Sequence, residues 1–213
     1  MFKDRREAGN LLAKKLKQEL SPDVIGNSIL LVIPRGGVFV GDEIHKELNI
    51  PLDCLITKKI PAPESEELSI GAVGEGGVVV WEDELLKRLN VPIEYSQEIV
   101  KTKIAELEKK KNDFQCGFDP GANKGKSVII VDDGVATGAT MKAAIAIARS
   151  FSPREIIVAV PVIAADALAV LKEKADKIYY LEVPEIFFSI DQYFEDFHQL
   201  SDEEVVSIVS KKI

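Results

Sequence analysis

Two adjacent carboxylates hold the most chemistry in this sequence. Asp132 and Asp133 follow the apolar run VIIV at 128–131 and lead into GVATGAT, so a strand delivers both acids to its tip and a small-residue turn opens a helix. Consecutive backbone N–H groups around Gly138, added to the positive end of a helix, suit an anion, and Thr137 and Thr140 supply hydroxyls. A phosphate in the turn, with a sugar diol or metal-coordinated group at the acids, accounts for every polar residue in the stretch. The alternative for a DDG segment is an ordinary strand-to-helix loop with an N-cap. A second strand-end loop, Ile33-Pro34-Arg35-Gly36-Gly37, pairs an arginine with two glycines before a helix, a pattern that can hold pyrophosphate or merely turn the chain.

Other residues drop out. GANKGKS at 121–127 has three residues between its glycine and the GK pair where the triphosphate-binding loop needs four, with Pro120 at the place of the required glycine, and it precedes a strand instead of following one. Cys54 and Cys116 are distant in sequence, with no CxxC, and His45 and His198 have no ligand-like spacing to them. They read as core or incidental surface thiols.

The elements that must position these groups follow an α/β rhythm. The pattern predicts a helix over 5–20 on the stripe Ala8, Leu11, Leu12, Leu16 and Leu20, strands at 28–33 and 52–57, and a helix between them at 38–48. Residues 58–68, rich in Pro and Glu, read as a loop and 69–81 as a hairpin, followed by helices at 82–89 and 96–112. Strands at 128–133, 156–160 and 177–182 then alternate with helices at 138–150 and 164–174. An irregular aromatic tail at 183–199 precedes a closing helix at 202–211. The expected fold class is α/β, an open, mostly parallel sheet with flanking helices.

The 213 residues suit one domain, and ordinary globular composition excludes fibrous and wholly disordered classes. The longest apolar run, 156–165, is about half of what a bilayer helix needs and contains Pro161. The polar N-terminus does not read as a signal peptide, so a cytoplasmic location is expected. A net charge of −8 argues against a nucleic-acid partner, though not against a small polyanion held locally by backbone amides and a few bases.

VIIVDDGVATGAT resembles the phosphoribosyl pyrophosphate signature of type I phosphoribosyltransferases. FKDRREAGNLLAKKL at 2–16, IPRGGVFVGDEI at 33–44, ELSIGAVGEGG at 67–77 and PEIFFSIDQYFEDFHQLSDEEV at 184–205 extend the likeness, over nearly the whole chain, to a bacterial and archaeal subgroup. The resemblance implies a single domain over 1–213, with a helical insertion at 82–112 and a C-terminal hood at 183–213. It implies Mg²⁺-dependent transfer of a phosphoribosyl group to a nitrogenous base; the alternative is a protein that senses the donor or a nucleotide without transfer. It assigns Asp132 and Asp133 to the ribose hydroxyls and the metal-bound face of the donor. Ala136, Thr137, Gly138, Ala139 and Thr140 go to the 5′-phosphate. Arg35, Gly36 and Gly37 go to pyrophosphate, in a loop where the family often holds a non-proline cis peptide, with Arg35–Gly36 the candidate bond. Residues 58–77 match the mobile loop that closes over the donor, with Lys58 and Lys59 at its root as catalytic candidates beside Asp132, Asp133 and Arg35. Ala136 stands where members acting on 6-oxopurines carry an Asp, which argues against hypoxanthine or guanine as acceptor. The expected partners are phosphoribosyl pyrophosphate, a small planar base and a second copy of the chain. Phe188, Tyr193 and His198 are the acceptor candidates, with Asp191 and Asp196 beside His198, although the tail aromatics equally suit a packed lid.

Overall fold

The computed structural model describes residues 1–119, 121 and 123–210, the side chain of Glu67 excepted. Pro120 of the rejected triphosphate-loop motif, and the expected helix end at Lys211, lie outside the described residues. From the N-terminus, α1 (Arg5–Glu19) and the short α2 (Pro22–Gly26) precede β1 (Ser28–Val32), α3 (Gly36–Leu48) and β2 (Leu52–Cys54). Next come β3 (Lys58–Ala62), β4 (Ser65–Val73), β5 (Val79–Trp81), α4 (Asp83–Arg88) and α5 (Ile93–Phe114). The α/β rhythm resumes with β6 (Ser127–Val131), α6 (Ala139–Ser150), β7 (Glu155–Val162), α7 (Ala165–Leu171), β8 (Lys177–Glu182) and α8 (Asp202–Val209).

Five strands form a parallel sheet in the order β2-β1-β6-β7-β8. β1 and β6 are buried at every residue, because helices cover both faces of the sheet. Alternation along these strands sorts their side chains into two cores. Leu30, Val32, Ile129 and Val131 pack against α1, α3, α5 and α8, whereas Ile29, Leu31, Val128 and Ile130 pack against α6 and α7. Side-chain caps fix three helix starts among the described residues: Asp4 accepts from the Glu7 amide at α1, Ser21 from the Val24 amide at α2, and Ser201 and Glu204 form a reciprocal capping box at α8.

β3, β4 and β5 form a separate antiparallel sheet. This corrects the loop expected at 58–68. The Pro and Glu signals are real, since the β3–β4 register slips on both sides of Pro61. They are outweighed by Ile60 and Ile70, both fully buried. Each gains roughly 1.5–3 kcal/mol on burial, against roughly 0.5–1.5 kcal/mol for a ladder hydrogen bond that Pro61 cannot donate. The SPD segment that ends α1 also starts α2, with Ser21 as its cap.

The tail returns to the N-terminus. Phe2 donates its amide to the Tyr193 carbonyl at 2.7 Å and accepts from the Glu195 amide at 2.8 Å, and its ring lies 5.4 Å from that of Phe194. Cys54 and Cys116 come side by side as free thiols, and that contact, with burial, pushes the Cys54 thiol up. Among the described residues no helix is long and apolar enough to cross a membrane.

Candidate functional site

The strand order reverses direction between β1 and β6. The chain leaves β1 toward β2 on one side and leaves β6 toward β7 on the other, so the loops beyond these neighbouring strands diverge and open a crevice. The two strands stay joined to the last residue before it, where the Ile33 amide donates to the Val131 carbonyl at 2.9 Å.

Asp132 and Asp133 stand at one lip. Asp133 is buried, its amide donates to Asp132 Oδ1 at 2.9 Å, and its Oδ2 accepts from Arg5 Nε at 2.7 Å. Arg5 also donates through Nη1 to the His198 carbonyl at 3.1 Å, and its guanidinium lies 3.6 Å from the centre of the Phe197 ring. Burial, and then the neighbouring Asp133, push the Asp132 carboxyl well above the usual range. Burial raises Asp133 as well, against the pull of Arg5. One guanidinium thus serves two acids in a dry setting, which leaves Asp132 suited to a further cation or to hydroxyl donors.

The turn after the acids reads as expected. Gly138 takes φ of 75° at the N-cap of α6, a conformation that costs glycine little. A cavity of about 170 Å³ lies in the turn, lined by Asp132, Ala136, Thr137, Gly138, Thr140 and, from the tail, Ile190; Ala139 contributes to the same wall.

Across the crevice, the cis peptide lies at Pro34–Arg35, one bond before the Arg35–Gly36 candidate. Gly36 presses against the first lip: a β-carbon there would stand 1.9 Å from Asp133 Oδ2, and one on Gly37 would stand 2.5 Å from the Val131 carbonyl oxygen. Arg35 Nε donates to Asp202 Oδ1 at 2.8 Å, and Lys110 of α5 approaches the same oxygen at 3.4 Å. A larger cavity of about 590 Å³ is lined by Arg5, Arg35, Gly36, Lys110, Phe197 and His198. A third, of about 210 Å³, shares Pro34 and Lys110 with it and Thr140 with the turn cavity, and adds Lys58. The three run together around the strand tips.

The structure therefore brings together Arg35, Gly36, Lys58, Asp132, Asp133, the 136–140 turn and His198. Lys59 is not with them. Strand alternation turns it to another cavity, of about 340 Å³, beside Trp81, Lys142 and Lys174, which meets the turn cavity at Ala139. Phe188 is 82% exposed, and Tyr193 stacks on Phe187 at 5.5 Å while its hydroxyl donates to the Ile186 carbonyl at 3.1 Å. Neither lines the three cavities. Asp191 is exposed in the tail, and Asp196 holds His198 Nδ1 at 3.0 Å. Sequence reasoning missed Arg5 and Lys110. Each sits in a charged helical stretch that reads as a solvated face, and an arginine beside an N-cap aspartate was the one local hint for Arg5.

Among the described residues no group of three or more His, Cys, Asp or Glu side chains forms a metal cage. Asp132, on the wall of the turn cavity with Asp133 beside it, could instead hold a magnesium ion shared with phosphate oxygens of a ligand, the usual arrangement for that ion.

A family model described as phosphoribosyl transferase domain matches residues 3–198. Two Mycobacterium tuberculosis proteins, from two strains and provisionally named phosphoribosyl transferases, are each 36% identical over 211 residues, 99% of this chain and 47% of their own length. The chain thus spans about half the length of these curated relatives. The crystal structure of a Thermus thermophilus protein superposes with a TM-score of 0.87 at 36% identity, covering 99% of this chain and 98% of that one. An Aquifex aeolicus protein shares the fold at a TM-score of 0.51 and 16% identity, over 84% of this chain and 73% of its own.

Proposed function

The chain belongs to the phosphoribosyl transferase domain family, and on that premise we propose that it transfers the phosphoribosyl group of phosphoribosyl pyrophosphate to a small planar nitrogenous base, releasing pyrophosphate. The observation that carries this reading is the crevice itself: an arginine-glycine loop and an acid-rich phosphate-type turn meet where Gly36 touches Asp133.

In this reading the backbone amides of 136–140, with the Thr137 and Thr140 hydroxyls, hold the 5′-phosphate at the start of α6. Asp132 and Asp133 accept hydrogen bonds from the ribose hydroxyls, with Asp133 oriented by Arg5. Arg35 and Gly36 face the pyrophosphate, and Lys58 adds charge from the edge of the crevice. A magnesium ion, held by Asp132 and donor oxygens, would neutralise charge on the departing pyrophosphate. The base nitrogen displaces pyrophosphate at the anomeric carbon through a transition state of oxocarbenium character. Such catalysis rests on positioning, fixed charge and exclusion of water, and asks for no protein nucleophile. His198, on the wall of the larger cavity, is the tail residue best placed to meet an acceptor, ahead of Phe188 and Tyr193.

Incubation with magnesium, phosphoribosyl pyrophosphate and a panel of purines, pyrimidines and pyridine carboxylates should release pyrophosphate with at least one base. Saturable donor binding with silence across the panel would instead support a sensor.

A further inference from the structure

Arg35 alone is a thin counterpart for a pyrophosphate, and the other bases near it are mostly committed. Arg5 is bound to Asp133, Lys58 lies 3.5 Å from Glu106, and Lys59 faces another cavity. Lys110 is paired as loosely as Lys58, at 3.4 Å, but to the carboxylate that Arg35 also binds. It lines both cavities that contain Pro34, and its stem is steadied by an ammonium 4.2 Å from the centre of the Phe114 ring. Its one carboxylate contact among the described residues is Asp202, the same group that Arg35 binds. An aspartate therefore already sits where two bases converge.

We infer that Lys110, carried by the helical insertion, is the second base of the pyrophosphate subsite, and that Asp202 is an internal anion that holds Arg35 and Lys110 until pyrophosphate displaces it. The inference rests on the proposed donor site and assigns it a residue and a regulating contact from outside the donor loops.

The exchange is physically accessible. Asp202, Arg35 and Lys110 are 38%, 37% and 29% exposed at their side chains, so water screens their pairing and it is readily broken. A pyrophosphate presents more charge and several acceptor oxygens to the same two donors. α8 does not need the contact, because its start is fixed by the Ser201–Glu204 capping box. Its first residue can lose its partners without unwinding the helix.

Calorimetric titration with inorganic pyrophosphate alone, with neither donor sugar nor base, tests the inference. Lys110→Gln should weaken binding about tenfold and Lys110→Arg should restore most of it, as expected for a charge-assisted contact. Asp202→Asn should tighten binding about fivefold, since it removes a competing charge and keeps the side-chain volume. Unchanged affinity in Lys110→Gln overturns the assignment of Lys110. Weaker binding in Asp202→Asn makes Asp202 an aligner of Arg35 and overturns its part as a stand-in, and no binding by either wild type or Asp202→Asn overturns both. Pyrophosphate binding that follows these shifts without any base-dependent turnover would sink the transfer reading and leave the subsite intact.

Discussion

Gly36 has no room for a side chain. The atoms a β-carbon would strike belong to a carboxylate, normally a flexible group, but Asp133 is buried and pinned by Arg5 at 2.7 Å. Gly36→Ala should therefore shift either the arginine loop or Asp133, and donor affinity should fall about a hundredfold, the scale set by misplacement of about 1 Å in a preorganised site. Titration with phosphoribosyl pyrophosphate checks this. His198 gives a prediction of a different kind. Hydrogen bonds to Asp196 and Glu204 raise its pKa, so the stabilising contribution is complete below the unfolded value near 6.5 and is lost as pH rises through the folded value. The melting temperature of the wild type should exceed that of His198→Gln at about pH 6, and the two should converge as pH rises through the folded value. At this scale the acids and the turn were legible, because strand, acids, glycine and threonines are contiguous and each has a distinct chemical task. Arg5 was not. Its partner lies 128 residues away, and only the folded chain shows that a charged residue at the start of a helix is buried.

Among the elements, β3 makes the sharpest distinction. As a strand it sends Lys58 toward the crevice and Lys59 away from it, whereas as a mobile loop both could reach the donor. Lys58→Gln should raise the KM for the donor several-fold while Lys59→Gln leaves it within about twofold, as expected for alternate faces of one strand. α5 is tied to the body by Leu107 and Phe114, each 1% exposed. Phe114→Ala should cost about 3–5 kcal/mol of unfolding free energy, measured by urea denaturation, for the cavity it leaves. Apart from the short α2, the helices and parallel strands were readable from apolar period and strand-end glycines to within a few residues. β3 was hidden because the pairing that holds it, Ile60 with the segment around Ile70, is a property of two separated stretches, while Pro61 and the glutamates speak locally for a loop.

At the scale of the molecule, strand order decides where the chemistry lies. A run of βα units announces a parallel sheet, but only the order β2-β1-β6-β7-β8 shows that the loops after β1 and β6 are neighbours that diverge. That juxtaposition joins two weak local signals, residues 33–37 and 132–140, into one crevice. The charge distribution completes it. The surplus of acids spreads over the surface and tail, and Arg5, Arg35, Lys58 and Lys110 gather at the strand tips. Phosphorus NMR of phosphoribosyl pyrophosphate with magnesium, followed with and without the active base, tests the central claim most directly. The account predicts base-dependent loss of the donor signals with matching growth of free pyrophosphate and a new phosphomonoester, abolished when both Asp132 and Asp133 are replaced by Asn. Equal donor consumption with and without base, or undiminished turnover in the double variant, would contradict it.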